Sequence, residues 1–235
     1  MRSLVQVSLF AAGLVVAGSA HAASFNCAKA ATPDEKAVCG DLLLSDLDSR
    51  LGKDYTALKK KSDLASAVKD ISRSFLADRA SCGSDKACIL STYLAVLDQY
   101  KALGAPVGRP AGVTAMTIAG GDARATGKLP QKIGQCVATE IDAVHPRLGD
   151  GGPIKDEDYD SGTGVEYKNG GYGVSYDRIP ALIHSKPGDP VVMCLVSVPH
   201  DCPPGDDRGR FYIGTNKRTG DSWILPDSQH MCGGA

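Results

Sequence analysis

Eight cysteines in two sets of four set the strongest limit on what this chain can fold into. Cys27, Cys39, Cys82 and Cys88 punctuate a first part with helical periodicity, and Cys136, Cys194, Cys202 and Cys232 fall in a later part with alternating periodicity. Residues 1–22 read as an export signal. Arg2 gives a positive start, Leu9 to Val16 an apolar run too short to span a bilayer, and Ala20, His21 and Ala22 a small-residue cleavage site. The mature chain is therefore expected to begin at Ala23, to keep no transmembrane anchor and to be periplasmic or secreted. An even cysteine count in an exported chain predicts four disulfides with no thiol left free. Metal ligation fails on spacing, because there is no C-x-x-C and no histidine near Cys82 or Cys88. No cofactor is expected.

Charge excludes one class of partner. Twenty-six Lys and Arg stand against 27 Asp and Glu, without the basic surface and stacking aromatics that nucleic-acid binding requires.

Residues 23–104 carry the helical signal. Thr32, Pro33 and Glu35 form a helix start, with a capping threonine, a proline at the first helical position and a glutamate three residues after the cap. Leu44, Leu47, Leu51, Tyr55 and Leu58 recur at steps of three and four, as do Leu64, Val68, Ile71 and Phe75, and then Ile89, Tyr93, Leu97 and Tyr100. Seams joined by such short connections bury themselves against one another, which predicts an antiparallel bundle. Gly83 and Ser84 mark a corner, and a bridge between Cys82 and Cys88 needs that break in the helix. Pairing stays open at this point. Local bridges, Cys27 to Cys39 and Cys82 to Cys88, close short loops that contribute about 2 to 3 kcal/mol each, whereas crossed bridges would contribute about 4 kcal/mol each.

The pattern S-F-x-C-x-K-A-x-T-x-x-E-x-x-V-C from Ser24, L-x-x-L-D-x-x-L-x-x-x-Y from Leu44 to Tyr55, F-L-x-x-R-x-x-C from Phe75 and C-I-x-x-x-Y from Cys88 resembles the N-terminal domain of the LprI-type lysozyme inhibitor family. It covers about 80 residues. Phe75 stands where the family usually has tryptophan, and Val96 where it often has arginine, which leaves no counterpart for that arginine's role. The resemblance implies an envelope protein with a disulfide-stapled helical module, and a lysozyme-type glycan hydrolase as its target.

Residues 105–131 are rich in Gly, Ala, Pro and Thr and read as a linker, with one short strand at Thr114 to Ala119. From residue 132 to 235 the period is that of strands. Val165 and Tyr167, the turn Asn169-Gly170, then Tyr172, Val174 and Tyr176 predict a hairpin. Pro190 to Val198 predicts a buried strand, and Phe211 to Thr215 with Ser222 to Leu225 a second hairpin. The expected fold is α+β in two domains: a disulfide-stapled helical bundle followed by a small disulfide-stapled β-rich domain.

Candidate sites are few. Asp156, Asp158 and Asp160 alternate as in a calcium loop, but the loop's glycine and final glutamate are missing, so a solvated acidic loop is expected. The run Cys202-Pro-Pro-Gly is stiff and then turns, presenting Asp206, Asp207 and Arg208 as a candidate recognition tip, against a plain β-turn with a local ion pair. His145, His184, His200 and His230 lack metal spacing, and G-x-S-x-G, H-E-x-x-H and phosphate-binding glycine loops are absent, so the expectation is a protein that is not an enzyme. A hydrolase cleft with two catalytic carboxylates would accept a protruding loop bearing a hydroxyl and a cation. Ser161, Gly162, Tyr167 and Lys168 form such a set, with wider spacing than the Ser-Gly-x-x-Tyr loop of another periplasmic lysozyme inhibitor family. The expected function is thus an exported envelope binding protein, an inhibitor of lysozyme-type glycan hydrolases by cleft occlusion. The alternative is a structural or adaptor protein that binds peptidoglycan or another envelope protein.

Overall fold

The computed structural model describes residues 23–121, 123–149 and 152–234. The export signal expected at residues 1–22 lies outside them. Helix α1 (Pro33–Gly40) starts as the sequence indicates, with the Glu35 carboxylate reaching back to accept from the backbone of Ala31 and Thr32. Asp41 then starts α2 (Leu42–Leu58) by accepting from the amides of Leu43 and Leu44. Helix α3 (Ala65–Ser81) follows, and Asp85 caps α4 (Lys86–Ala102) through the amide of Cys88. These caps satisfy amides that a first helical turn otherwise leaves without partners.

The seams bury as their spacing dictates. Leu44, Leu47, Leu51 and Leu58 of α2 meet Val68 and Phe75 of α3 and Ile89, Tyr93, Leu97 and Tyr100 of α4. Tyr55 departs from its seam and stays 40 % exposed. Helix α4 is buried almost all round, with α2 and α3 on one side and the sheet on the other. The cysteines pair locally, Cys27 with Cys39 and Cys82 with Cys88. Gly83, in the left-handed region at φ +58°, provides the break that the second bridge requires.

Residues 105–131 do more than span. Where a strand was expected at Thr114 to Ala119 there is a short helix, α5 (Ala115–Ala119). The Thr114 hydroxyl accepts from the amide of Met116, and Gly120, at φ +58°, ends the helix. Cap and stop together close a helical turn there in place of a strand. Ala115 and Ile118 of α5 are buried between α4 and the sheet.

The sheet comprises β1 (Arg124–Ala125), β2 (Cys136–Pro146), β3 (Thr163–Tyr167), β4 (Tyr172–Ser175), β5 (Pro190–Ser197), β6 (Phe211–Asn216) and β7 (Ser222–Pro226), in the order β4-β3-β2-β5-β6-β7. Its pairs are antiparallel except for β1, which runs parallel to the start of β2. The long β2 pairs with β5 through Cys136 to Glu140 and with β3 through Ile141 to Pro146, so it carries both halves. The strands curl until Gly173 of β4 comes against Leu225 of β7. A short helix, α6 (Pro180–Ile183), buries Leu182 beneath them.

Strand β5 explains why its sequence is apolar without alternation. Val191, Met193 and Leu195 face one cluster inside the curled sheet, and Val192, Cys194 and Val196 face the helices. Cys136 and Cys194 are register partners on β2 and β5 and are bridged, and Cys202 is bridged to Cys232. One apolar cluster therefore runs from α2, α3 and α4 through α5 onto β5, β6 and β7. The change at residue 104 marks a change of element type, with no gap in the core. The molecule is a mixed helix and sheet protein held by four disulfides, and among the described residues no cysteine is free.

Candidate functional site

The structure separates the loop set Ser161, Tyr167 and Lys168. The Ser161 hydroxyl donates to the carbonyl of Asp158 at 2.8 Å and accepts from the amide of Leu148 at 3.1 Å, so it fastens its own turn. Tyr167 is buried, and its hydroxyl accepts from Nε1 of Trp223 at 2.7 Å. Burial pushes its phenol well above the ordinary range. Lys168 is exposed and paired with Glu140 at 2.6 Å. The alternation that placed Tyr167 in a strand was right, but its side chain faces the core side of β3, away from any partner.

The acidic loop is a 3₁₀ turn over Asp156–Ser161 whose charges are answered from outside, Arg178 contacting both Asp156 and Asp160. Among the described residues no group of three or more His, Cys, Asp or Glu is arranged to hold a metal ion.

Asp206, Asp207 and Arg208 do lie together on a loop, pinned at its base by the Cys202–Cys232 bridge. Arg208 forks onto Asp206 with two bonds of 2.8 Å, which holds that carboxyl well below the usual carboxylate range, and Arg210 pairs with Asp207 at 2.6 Å. Asp227 accepts from the amides of Gly209 and Arg210, which ties the exit of the loop into β6. At its root Asp201 has φ +57°, a left-handed conformation rarely adopted by residues other than glycine. His200, one residue earlier, meets Asp78 of α3 at 2.8 Å, and Ser197 donates to the same carboxylate at 3.3 Å. Burial raises the Asp78 carboxyl against the pull of His200. The carboxylate stands between serine and imidazole here, whereas a nucleophile relay needs the imidazole between. The contact latches the loop to the helices.

A second arrangement was not legible as a site. Between α2 and α3, and beside Ser24 and Phe25, lies an open cavity of about 370 Å³. Its floor is a buried charge network. Arg79 Nε donates to Asp34 at 2.8 Å, Arg79 Nη1 donates to the Tyr93 hydroxyl at 3.2 Å, and that hydroxyl donates to Asp48 at 2.8 Å. Against the desolvation that opposes its charge, bonds from Thr32 and Arg79 keep the Asp34 carboxyl below its ordinary value. Burial, and then the Asp48 charge, push the Tyr93 phenol far up. The backbone amide of Ser24 closes the network on the other Asp48 oxygen at 2.5 Å, and Gly52 allows the approach, since a β-carbon there would lie 2.7 Å from that of Ser24. Phe25 and Phe75 flank the Arg79 guanidinium at 5.8 and 5.5 Å. Ser24, Phe25, Asp48, Tyr55, Phe75 and Arg79, all part of the pattern that carries the family resemblance, line this one cavity.

Compared with known proteins, the chain matches no family model, no curated protein and no solved structure. Four disulfides define its class as a covalently stapled α+β protein of an oxidising compartment, and no helix among the described residues is long and apolar enough to cross a membrane.

Proposed function

We propose that the protein is an exported binding protein of the cell envelope, periplasmic or secreted, which inhibits a lysozyme-type glycan hydrolase by occluding its cleft. The observation that carries this reading is the loop around Asp206, Asp207 and Arg208. The Cys202–Cys232 bridge, the Arg208–Asp206 fork and the His200–Asp78 latch fix its shape before any partner arrives, which lowers the ordering cost of binding. The Arg208 side chain remains 46 % exposed, unlike buried Arg79, so a carboxylate of the cleft can share its guanidinium with Asp206. The test is cell-wall lysis by lysozyme with purified mature chain in micromolar excess. Slowed lysis, relieved by Arg208→Ala, is expected, and unslowed lysis removes the inhibitor reading.

A second reading, an adaptor that binds envelope glycan without inhibiting anything, is favoured by the outer face of β2, β3 and β4. There Arg147 lies 4.3 Å over the ring of Tyr176, and the His145 ring stacks near Tyr172, beside Glu166. Aromatic faces flanked by charged hydrogen-bonding groups suit sugar rings. Retention on insoluble peptidoglycan, lost in Tyr176→Ala and with lysis unaffected, would select this reading.

A further inference from the structure

The cavity beside Arg79 continues outward. A second open cavity of about 700 Å³ runs along the outer face of α2 and shares Ser24, Gly52 and Tyr55 with the first, so the two form one trough. Leu51, Phe75 and Leu76 give the inner stretch an apolar strip beside Glu35, Asp48 and Arg79, Tyr55 stands at the junction, and the outer stretch is lined mainly by small and polar residues of α2. Leu76 is 52 % and Tyr55 40 % exposed. Both side chains line the inner cavity and stand open to solvent, where an apolar occupant would remove them from water.

Charge decides which occupant. On the floor, Arg79 is answered by Asp34 at 2.8 Å and approached by Asp48 at 3.8 Å, so it calls for no further anion, and the Glu35 carboxylate at the inner rim is taken up by the amides of Ala31 and Thr32. The outer mouth is different: Lys53 and Lys60 line it, and the Lys59 ammonium sits 5.3 Å over the Tyr55 ring. Two lysines thus line the outer stretch, and a third sits over the ring at the junction. A cationic amphiphile would be repelled there, and a neutral chain would leave the lysines unused.

We infer that this trough is a binding site for a single-chain anionic amphiphile, a fatty acid, with its alkyl chain against Leu51, Phe75 and Leu76 and its carboxylate among Lys53, Lys59 and Lys60. The site is on the helical part, away from the stapled loop, and does not depend on hydrolase inhibition.

The experiment is calorimetric titration of the full mature chain with dodecanoate below its micelle concentration at low ionic strength, with dodecyltrimethylammonium as the cationic counterpart. Saturable one-to-one binding of dodecanoate is expected, with the cationic chain at least tenfold weaker. Lys53→Glu with Lys60→Glu should weaken dodecanoate at least tenfold, and Leu76→Asp should abolish it. All three residues are exposed, and an unchanged Trp223 emission and denaturation midpoint would verify that the variants fold. No dodecanoate binding, equal binding of both amphiphiles, or variants that fold and still bind normally would overturn the assignment. Concentration-dependent dimerisation lost in Leu76→Asp would also overturn it, because the trough would then belong to a second copy of the chain.

Discussion

The backbone of Gly134 lies so close to that of Cys88 that a β-carbon on Gly134 would come within 2.6 Å of the Cys88 nitrogen. The loop that leads into β2 therefore seats directly on the first turn of α4, and Gly134 does so at φ +86°, in the left-handed region. Gly134→Ala meets both a conformational penalty of about 1 kcal/mol and a backbone overlap that no rotamer relieves. We expect a loss of more than about 2 kcal/mol in urea denaturation, with helix signal and Trp223 emission falling in one transition. Separate transitions would mean that the shared core does not couple the helices to the sheet.

Arg79 should be the costliest charge to remove. Arg79→Met leaves Asp34 buried without its cation, and breaking a buried pair from one side costs about 3 to 5 kcal/mol. Tyr93→Phe removes one donor to Asp48 and should cost about 1 to 3 kcal/mol. Denaturant midpoints measure both, and a neutral Arg79→Met would show that the network is dispensable for folding.

Asp98 gives the pH dependence a definite sign. Burial at the end of α4 pushes its carboxyl up from 3.8 to about 6, and Arg109, 3.7 Å away, only partly offsets this. Between about pH 4 and pH 6 the folded chain holds a proton that the unfolded chain has released, so this contribution to stability is present at low pH and lost as pH rises through 6. The side chain is 36 % exposed, so solvent screening reduces the effect to about 1 kcal/mol. Asp98→Asn should be more stable than the parent at pH 7.5 by that amount and equal to it at pH 4. Parallel stability curves from pH 4 to 7.5 would contradict this.

The disulfides should differ in worth. Cys136–Cys194 spans 58 residues and Cys82–Cys88 only 6, so loop-closure entropy assigns them about 4 and about 2 kcal/mol. Paired Cys→Ala variants test the order by chemical denaturation. Non-reducing peptide mapping should recover the four pairs with no link between the parts before and after Gly104, and one such link would refute the pairing.

The sequence by itself determined the local structure. Thr32, Pro33 and Glu35 announce α1, the three-and-four spacing of apolar residues announces α2 to α4, and Asn169-Gly170 announces the β3–β4 turn, because caps, seams and turns are short-range physics. Gly83 made the Cys82–Cys88 bridge possible but left the choice between local and crossed pairing open. The strand reading at Thr114 failed because the Thr114 cap and the left-handed Gly120 close a helical turn there. Phe25, Tyr55, Phe75 and Arg79 were visible as parts of a pattern, but their shared cavity was not.

Only the tertiary structure decided which faces meet. It turned Tyr167 inward to Trp223, set β5 between two cores, and brought Ser24 onto Asp48 and Gly52 to complete a trough. These outcomes depend on contacts between residues far apart in the chain, and such contacts are selected by what packs without overlap or unpaired charge, which no local periodicity encodes.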